Sequence, residues 1–283
     1  MRLATGSGIL IAAAIGYLVL LYYFRVSEMP LEQQFGASAN EAAAQIYVEP
    51  ISIDAHNHSM QLQVTVSASH GVRERPATAP DRDLFLILRH GRTAREIKFP
   101  ADHPIPSESF QIDLTGGNVA NYPFDTYHAD VSVQFFANAL PPAADAKALP
   151  VQVRIWQAVL GFHLETAEQS GSNASEVRLR FNIRRSGGFS LFALAAYGAM
   201  VVLGCSALTI GILAFIGVRR PDAPFVGALG AIVFALPTLR NALPGAPPIG
   251  VSADVLVFLW TEIAAVISVG LFVSTWARSG PRP

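Results

Sequence analysis

The sequence predicts an α-helical membrane domain of four spans joined to an extracytoplasmic all-β sandwich. Only 14% of the 283 residues are charged, whereas a soluble domain usually carries about 25% charge. Apolar residues collect in four long segments, and between the first two of these the apolar and polar residues alternate with period two. We therefore predict an N-terminal membrane anchor (residues 1–25), the sandwich (26–188), a three-helix membrane domain (189–278) and a cytoplasmic tail (279–283).

Each of the four apolar segments is long enough to cross a bilayer, which takes roughly 20 apolar residues. They are Leu3–Phe24, Phe189–Val218, Ala223–Leu239 and Val255–Trp276. The alternative, buried helices of a soluble protein, fits less well because such helices rarely run this long without a polar face. The first segment is expected to be an uncleaved anchor; a cleaved signal peptide is the alternative, although its apolar core would normally be shorter.

Arginine residues predict the orientation of the spans. Arg219 and Arg220 lie in the short loop between the second and third segments, and Arg278 and Arg282 follow the fourth. Short loops rich in arginine and lysine stay on the cytoplasmic side. The sequence therefore predicts a multi-pass plasma-membrane protein with both termini in the cytoplasm and residues 26–188 outside.

Alternation of apolar and polar residues is clearest in three stretches of the outer domain, Met60–Val66, Tyr127–Phe135 and Val177–Ile183. This period is typical of half-buried strands. Less regular candidate strands are Ile46–Ile53, Leu84–Leu88, Glu96–Phe99, Phe110–Leu114, Val151–Gln157 and Leu160–Glu165. Eight or nine short strands divided by turn-rich stretches predict an antiparallel sandwich.

The outer domain offers one candidate metal site. Asp54, His56 and His58 would point to one face of an extended strand and could serve as metal ligands. An exposed face of an early strand explains the same residues. The chain has no G-x-S-x-G nucleophile motif and no glycine-rich phosphate loop. We therefore expect a protein that is not an enzyme and needs no cofactor.

Charged residues near the third and fourth spans form a second constellation. Asp254 and Glu262 fall on broadly one side of the last helix, and Arg240 closes the preceding span at the same surface. Arg240 could reach Asp254, and Glu262 as well, by extending its side chain. The arrangement fits either a structural polar clamp or a site for an ion or a proton.

Small residues at every fourth position predict close helix contacts. They are Gly8, Ala12 and Gly16 in the first span and Gly227, Ala231 and Ala235 in the third. They favour a packed bundle or the seam of an oligomer.

The connector LRNALPGAPPIG between the last two spans is expected to form a rigid loop at the membrane surface. Pro244, Pro247 and Pro248 restrict its backbone, and Arg240 and Asn241 are expected to anchor it through hydrogen bonds. It therefore looks like a dock between the outer domain and the helices.

The stretch FALPTLRNALPGAPPIGVSADVLVFLWTE resembles the signature of an uncharacterised family of membrane proteins of the domain-of-unknown-function 4436 type. The resemblance extends to the general layout of one anchor, an outer domain and three spans. It implies a family and no particular activity.

A shorter resemblance concerns pentameric ligand-gated ion channels. The loop Tyr122-Pro123-Phe124-Asp125, and the strand VRLRFNIRRSGGFSLF that enters the second span, are similar to the junction of those channels. The resemblance implies a related sandwich whose Tyr122–Asp125 loop meets the membrane domain, with Arg184 or Arg185 at the junction. This chain differs in having one span before the sandwich and three after it.

The leading functional hypothesis is a non-enzymatic sensing, binding or scaffolding protein whose sandwich is coupled to its membrane helices. The alternatives are an oligomeric channel-like protein and a metal-dependent envelope enzyme using the Asp54, His56 and His58 trio. The expected partners are the lipid bilayer, further copies of the chain in a homo-oligomer, and an unknown protein or small-molecule ligand of the outer domain. The outer domain carries more acidic than basic residues, which argues against nucleic acid.

Overall fold

The computed structural model describes residues 14–22, 25–26, 31–68, 79–157 and 159–278. The chain separates into two compact units. We call residues 31–117 and 126–186 the β unit, and residues 118–125 and 187–278 the helical unit. The short segment Asn118–Asp125 therefore belongs to the helical unit although it lies between strands of the β unit in sequence.

The β unit contains two sheets. In chain order the described strands are β1 (Leu31–Gly36), β2 (Ala44–Asp54), β3 (Ser59–Ala68), β4 (Leu84–His90), β5 (Thr93–Phe99), β6 (Glu108–Asp113), β7 (Thr126–Ala137), β8 (Lys147–Ala148), β9 (Val151–Gln157), β10 (Phe162–Glu168) and β11 (Glu176–Arg185). One sheet has the order β1-β9-β2-β3-β6 and the other β10-β11-β7-β4-β5, with β8 added beside β7.

Side chains that alternate in the sequence alternate between the core and the surface. In β11, Val177, Leu179, Phe181 and Ile183 are all buried, while the residues between them face outward. Each such side chain contributes about 1.5–3 kcal/mol when it is fully buried. The buried faces of the two sheets meet; for example, the Gln157 side chain of β9 donates a hydrogen bond of 3.2 Å to the Thr166 hydroxyl of β10.

All nine predicted strands are present within the described residues, and the prediction of strands in this half of the chain is confirmed. Two further strands, β1 and β8, have no apolar alternation long enough to reveal them. The expectation of purely antiparallel pairing was wrong at one place, because β2 pairs with β9 in parallel. A parallel pair between strands far apart in sequence leaves no local signal, since its register depends on the long connection.

The helical unit contains three long helices: α1 (Gly187–Phe215), α2 (Ala223–Asn241) and α3 (Leu259–Arg278), the last preceded by a π-helical turn, Asp254–Phe258. All three are long and apolar enough to cross a membrane, so the chain is a membrane protein. They correspond to the second, third and fourth predicted spans. The count of four becomes three within the described residues, because most of the predicted first span, Leu3–Phe24, lies outside them.

Helices α1 and α3 run parallel with a constant sequence offset. A methyl group on Gly204 would lie 2.9 Å from Cβ of Thr261, and one on Gly211 would lie 2.6 Å from Oγ of Ser268. The buried positions of α1 recur at alternating intervals of four and three; they are Ala193, Tyr197, Met200, Gly204, Ala207, Gly211 and Ala214. This heptad seam allows the two backbones to approach closely.

The parallel arrangement places the arginine-rich segments at one end of the helical unit. Because α2 returns against α1, the loop with Arg219 and Arg220 lies at the end where α3 finishes with Arg278. A ring contact of 6.4 Å between Phe225 of α2 and Phe272 of α3 marks the same end. Arg219 and Arg278, both predicted from the sequence to be cytoplasmic, are therefore at the same end of the helical unit.

Within the described residues, Gly227 and Ala231 of the seam predicted on the third span do not pack closely against another helix. A methyl group on Gly227 would meet nothing within 4 Å in the structure, and Ala231 is exposed. Gly8 and Ala12 lie outside the described residues. Close helix contact instead uses the glycines of α1, whose seven-residue spacing is a different pattern from the four-residue spacing that the prediction relied on.

Candidate functional site

A buried ion pair lies at the end of the helical unit opposite to Arg219. Arg240, in the last turn of α2, donates from Nη2 to Oδ2 of Asp254 at 2.7 Å and from Nε to both carboxylate oxygens at 3.2 Å. The two side chains are only 8% and 6% exposed. Charge-assisted hydrogen bonds in this fork geometry are the strong ones.

The same arginine fastens the proline connector. Its Nη2 also donates to the backbone carbonyls of Pro247 at 3.0 Å and Pro248 at 2.8 Å. Asp254 in turn accepts from the Gly250 backbone N–H at 3.0 Å. Both ends of the segment Pro247–Gly250 are therefore held by one ion pair. We call Arg240, Asp254, Tyr197 and the connector Pro244–Gly250 the proline clamp.

Tyr197 brings helix α1 into the clamp. Its hydroxyl donates to Oδ1 of Asp254 at 3.1 Å, and the side chain is buried. The sequence reasoning missed this residue. The heptad seam was the available signal, because the spacing that makes Ala193 and Met200 face α3 places Tyr197 on the same face.

The chain forms this cluster because its backbone is constrained on both sides. Pro237 lies within α2, which nevertheless continues to Asn241. Gly245 and Gly250 adopt φ values of 71° and 99°, a region that glycine enters without a steric cost.

The segment Asn118–Asp125 packs into the helical unit beside the clamp. The Tyr122 hydroxyl donates to the Pro244 carbonyl at 2.9 Å, and its ring meets Phe189 edge-on at a centroid distance of 6.1 Å. The Ser190 hydroxyl of α1 donates to the Pro123 carbonyl at 3.1 Å. The Tyr122 side chain is buried, with only 2% of the residue exposed. The loop predicted from the resemblance to channels is thus held by the first turn of α1 and by the connector.

The other residues predicted for the interface between the outer domain and the membrane helices differ in burial and in the unit to which they belong. Asp125 is buried, whereas Phe124 is 65% exposed and Asn241 is exposed. Arg184 and Arg185 belong to the β unit. Within that unit Arg184 pairs with Glu165 at 3.1 Å on the surface, and the buried Arg185 stacks its guanidinium 4.5 Å from the Phe162 ring centre.

Glu262 lies in α3 beyond the clamp, and it is not a partner of Arg240. The side chain is half-buried. Its Oε2 atom is buried and has no hydrogen-bond partner within the described residues. The sequence prediction that Arg240 reaches Asp254 matches the geometry, and the extension of that prediction to Glu262 does not.

The proposed metal trio does not form a metal site. Asp54 ends strand β2, and residues 55–58 form a hairpin turn, so the three side chains do not share the face of an extended strand. Asp54 accepts the backbone N–H groups of His56 and Asn57, both at 3.0 Å. These bonds, that from Asn57 first, hold the pKa of Asp54 below its ordinary value. His58 packs edge-on against Tyr127 at 5.6 Å.

No group of three or more histidine, cysteine, aspartate or glutamate residues in the described part of the chain could hold a metal ion. The prediction assumed that residues 54–58 form an extended strand. They form a turn instead, in which His58 has a positive φ of 48°. Period-two spacing carries no information about facing once a strand has ended.

The fold and the clamp define an integral membrane protein in which a two-sheet β unit precedes three apolar helices. The chain belongs to the family described as Domain of unknown function (DUF4436), whose model matches residues 34–181, slightly more than half of the chain. A second model, Domain of unknown function (DUF8686), matches residues 185–279. No curated protein matches the chain.

The family predicted from the sequence is therefore confirmed. The motif that suggested it, between residues 234 and 262, lies within the second match and not within the first. The division between the two matches falls at residues 181–185, close to the end of β11 and the start of α1.

Proposed function

We propose that this chain is a four-span plasma-membrane protein that senses, binds or scaffolds through an extracytoplasmic β sandwich and performs no enzymatic chemistry. In this proposal the Asn118–Asp125 segment couples the sandwich to the helices. The supporting observation is that this segment, which lies between β6 and β7 in sequence, forms hydrogen bonds with the connector and with α1 through Tyr122 and Pro123. A rearrangement at the ends of those two strands would then reach the proline clamp through the contact between Tyr122 and Pro244.

The chemistry of the clamp also favours a mechanical role. The side chains of Arg240 and Asp254 form hydrogen bonds with each other. They also bond to Tyr197 and to backbone groups of the connector. Catalytic acids and bases need a face open to a substrate. The hydrogen bonds of the clamp are instead directed at its own helices and loop, which is what a rigid connection requires.

Two tryptophan reporters test the coupling in the full chain. The protein has three tryptophans: Trp156 in β9, and Trp260 and Trp276 in α3. The Trp260→Phe/Trp276→Phe variant reports on the β unit alone, and the Trp156→Phe variant reports on the helices. Coupled units should melt at the same temperature by both reporters, and Tyr122→Ala should separate the two transitions.

Two outcomes would contradict this coupling. Transitions that are already separate with Tyr122 in place would contradict the coupling. Transitions that stay together in Tyr122→Ala would show that this loop is not the coupling element. Tyr122→Phe serves as the matched control, because it keeps the buried ring and removes the hydroxyl that donates to Pro244.

An oligomeric channel-like protein is the second candidate, and the placement of the Tyr122–Asp125 loop in the helical unit is the observation that favours it. Native mass spectrometry of the detergent-solubilised chain distinguishes the two. A monomer or dimer would leave no central pore shared by several subunits and would support the sensing or scaffolding role. A closed ring of five copies would replace that role with the channel-like one.

A further inference from the structure

A cavity of about 600 Å³ lies in the helical unit at the end opposite to the proline clamp. Its walls are apolar and come from all three helices, with Leu213 of α1, Phe225 of α2 and Phe272 of α3 among the lining residues. Its volume is in the range of small-ligand pockets. All of its lining residues lie between positions 210 and 272, within the helical unit.

The rim of the cavity is cationic. Arg219 and Arg220 both line it and are both exposed. Neither arginine forms an ion pair within the part of the chain that the structure describes. Asp222 is the one acidic lining residue, and its side chain does not cap α2. The rim therefore carries a net positive charge beside an apolar wall.

We propose that this cavity binds an anionic glycerophospholipid. The phosphate lies against the Arg219 and Arg220 guanidinium groups, and an acyl chain follows the wall formed by Leu213, Phe225 and Phe272. Basic pockets between membrane helices suit anionic headgroups, and arginine binds phosphate through two hydrogen bonds. A free phosphate would satisfy the rim and leave the apolar wall in contact with water, so the combination selects a lipid.

The test uses the full chain in detergent with two lipids of identical acyl chains, phosphatidylglycerol and phosphatidylcholine. Bound lipid is counted by native mass spectrometry in competition. The chain should prefer phosphatidylglycerol, and Arg219→Gln/Arg220→Gln should reduce the preference about 25-fold, or about fivefold for each arginine. Arg278→Gln is the matched control, because Arg278 ends α3 at the same end but does not line the cavity.

Three results would overturn the proposal. Equal losses in Arg278→Gln and in the double variant would show diffuse surface attraction. An unchanged preference in Leu213→Trp, which places a larger side chain against the cavity and keeps both arginines, would show that the cavity is not used. Inorganic phosphate that displaces phosphatidylglycerol at millimolar concentration would identify a site for the free anion. The expected result is a lost preference in Leu213→Trp and no displacement by phosphate.

Discussion

Replacement of Arg240 by alanine removes the central donor of the proline clamp. The change leaves the Asp254 carboxylate buried with two donors, the Tyr197 hydroxyl and the Gly250 N–H. It also removes the donor of the Pro247 and Pro248 carbonyls. Pro247 and Pro248 then lose their hydrogen bonds to the side chain that holds them against α2.

The structure sets the size of the effect. Removing one partner of a buried, hydrogen-bonded ion pair costs about 3–5 kcal/mol, because the other charge stays buried without its counter-ion. Each kcal/mol corresponds to about 2–4 °C in the unfolding temperature of a chain of 150–250 residues. We therefore expect Arg240→Ala to unfold about 6–20 °C below the parent protein.

The assay is thermal unfolding of the purified chain in detergent, with Arg278→Ala as the control. Arg278 also lies in the last turn of a membrane helix, but it is exposed, so its loss should change the unfolding temperature by about 2 °C or less. A double-mutant cycle with Asp254→Asn should show that the two losses are not additive. Equal effects of Arg240→Ala and Arg278→Ala would refute the clamp.

Three further predictions concern the seam, the sheet surface and the unpaired carboxyl group. Gly211→Ala should destabilise the chain by about 1–3 kcal/mol in thermal unfolding because its methyl group has no room; Gly198→Ala, with open space, should not. Arginine hydrogen bonding lowers the pKa of Asp130, so Asp130→Asn should cost at most about 1 kcal/mol at pH 7. The difference in unfolding free energy between the parent protein and Asp130→Asn should persist above about pH 4. It should vanish as the pH falls through the lowered pKa of Asp130. Glu262→Leu should raise the unfolding temperature, since Oε2 is buried and has no hydrogen-bond partner among the described residues; a lower temperature would contradict this.

The strands and helices were readable from the sequence where a single face of an element is buried. The alternation in Val177–Ile183 and the apolar run of α1 depend only on residues within the element, so local pattern was sufficient. The parallel pairing of β2 with β9 and the two short strands depend on residues far away in the chain. The exposed edge strand Leu31–Gly36 has no buried face that could impose a pattern.

Part of the candidate site could also be predicted, because it depends on a local pattern in the sequence. Arg240 and Asp254 were found because charges at the ends of apolar spans are conspicuous and costly unless they are paired. Tyr197 was missed because a tyrosine in an alanine-rich helix gives no sign of its partner. The Asp54 trio was misassigned because the end of strand β2 depends on an Asx turn, which period-two counting does not detect.

The polar groups of the helical unit fall into two kinds, and this division bears on the two hypotheses that the sequence left open. The Asp254 carboxylate accepts from Arg240 Nε and Nη2, from Tyr197 and from Gly250. A carboxylate offers about four acceptor sites, so Asp254 has no capacity left for an ion or a transferred proton. This saturation favours the structural clamp as the role of Asp254. Glu262, by contrast, keeps a buried oxygen that no donor reaches in the part of the chain that the structure describes. The ion or proton hypothesis therefore applies to Glu262 alone, and variants of the clamp should change stability and coupling without creating or removing a binding site.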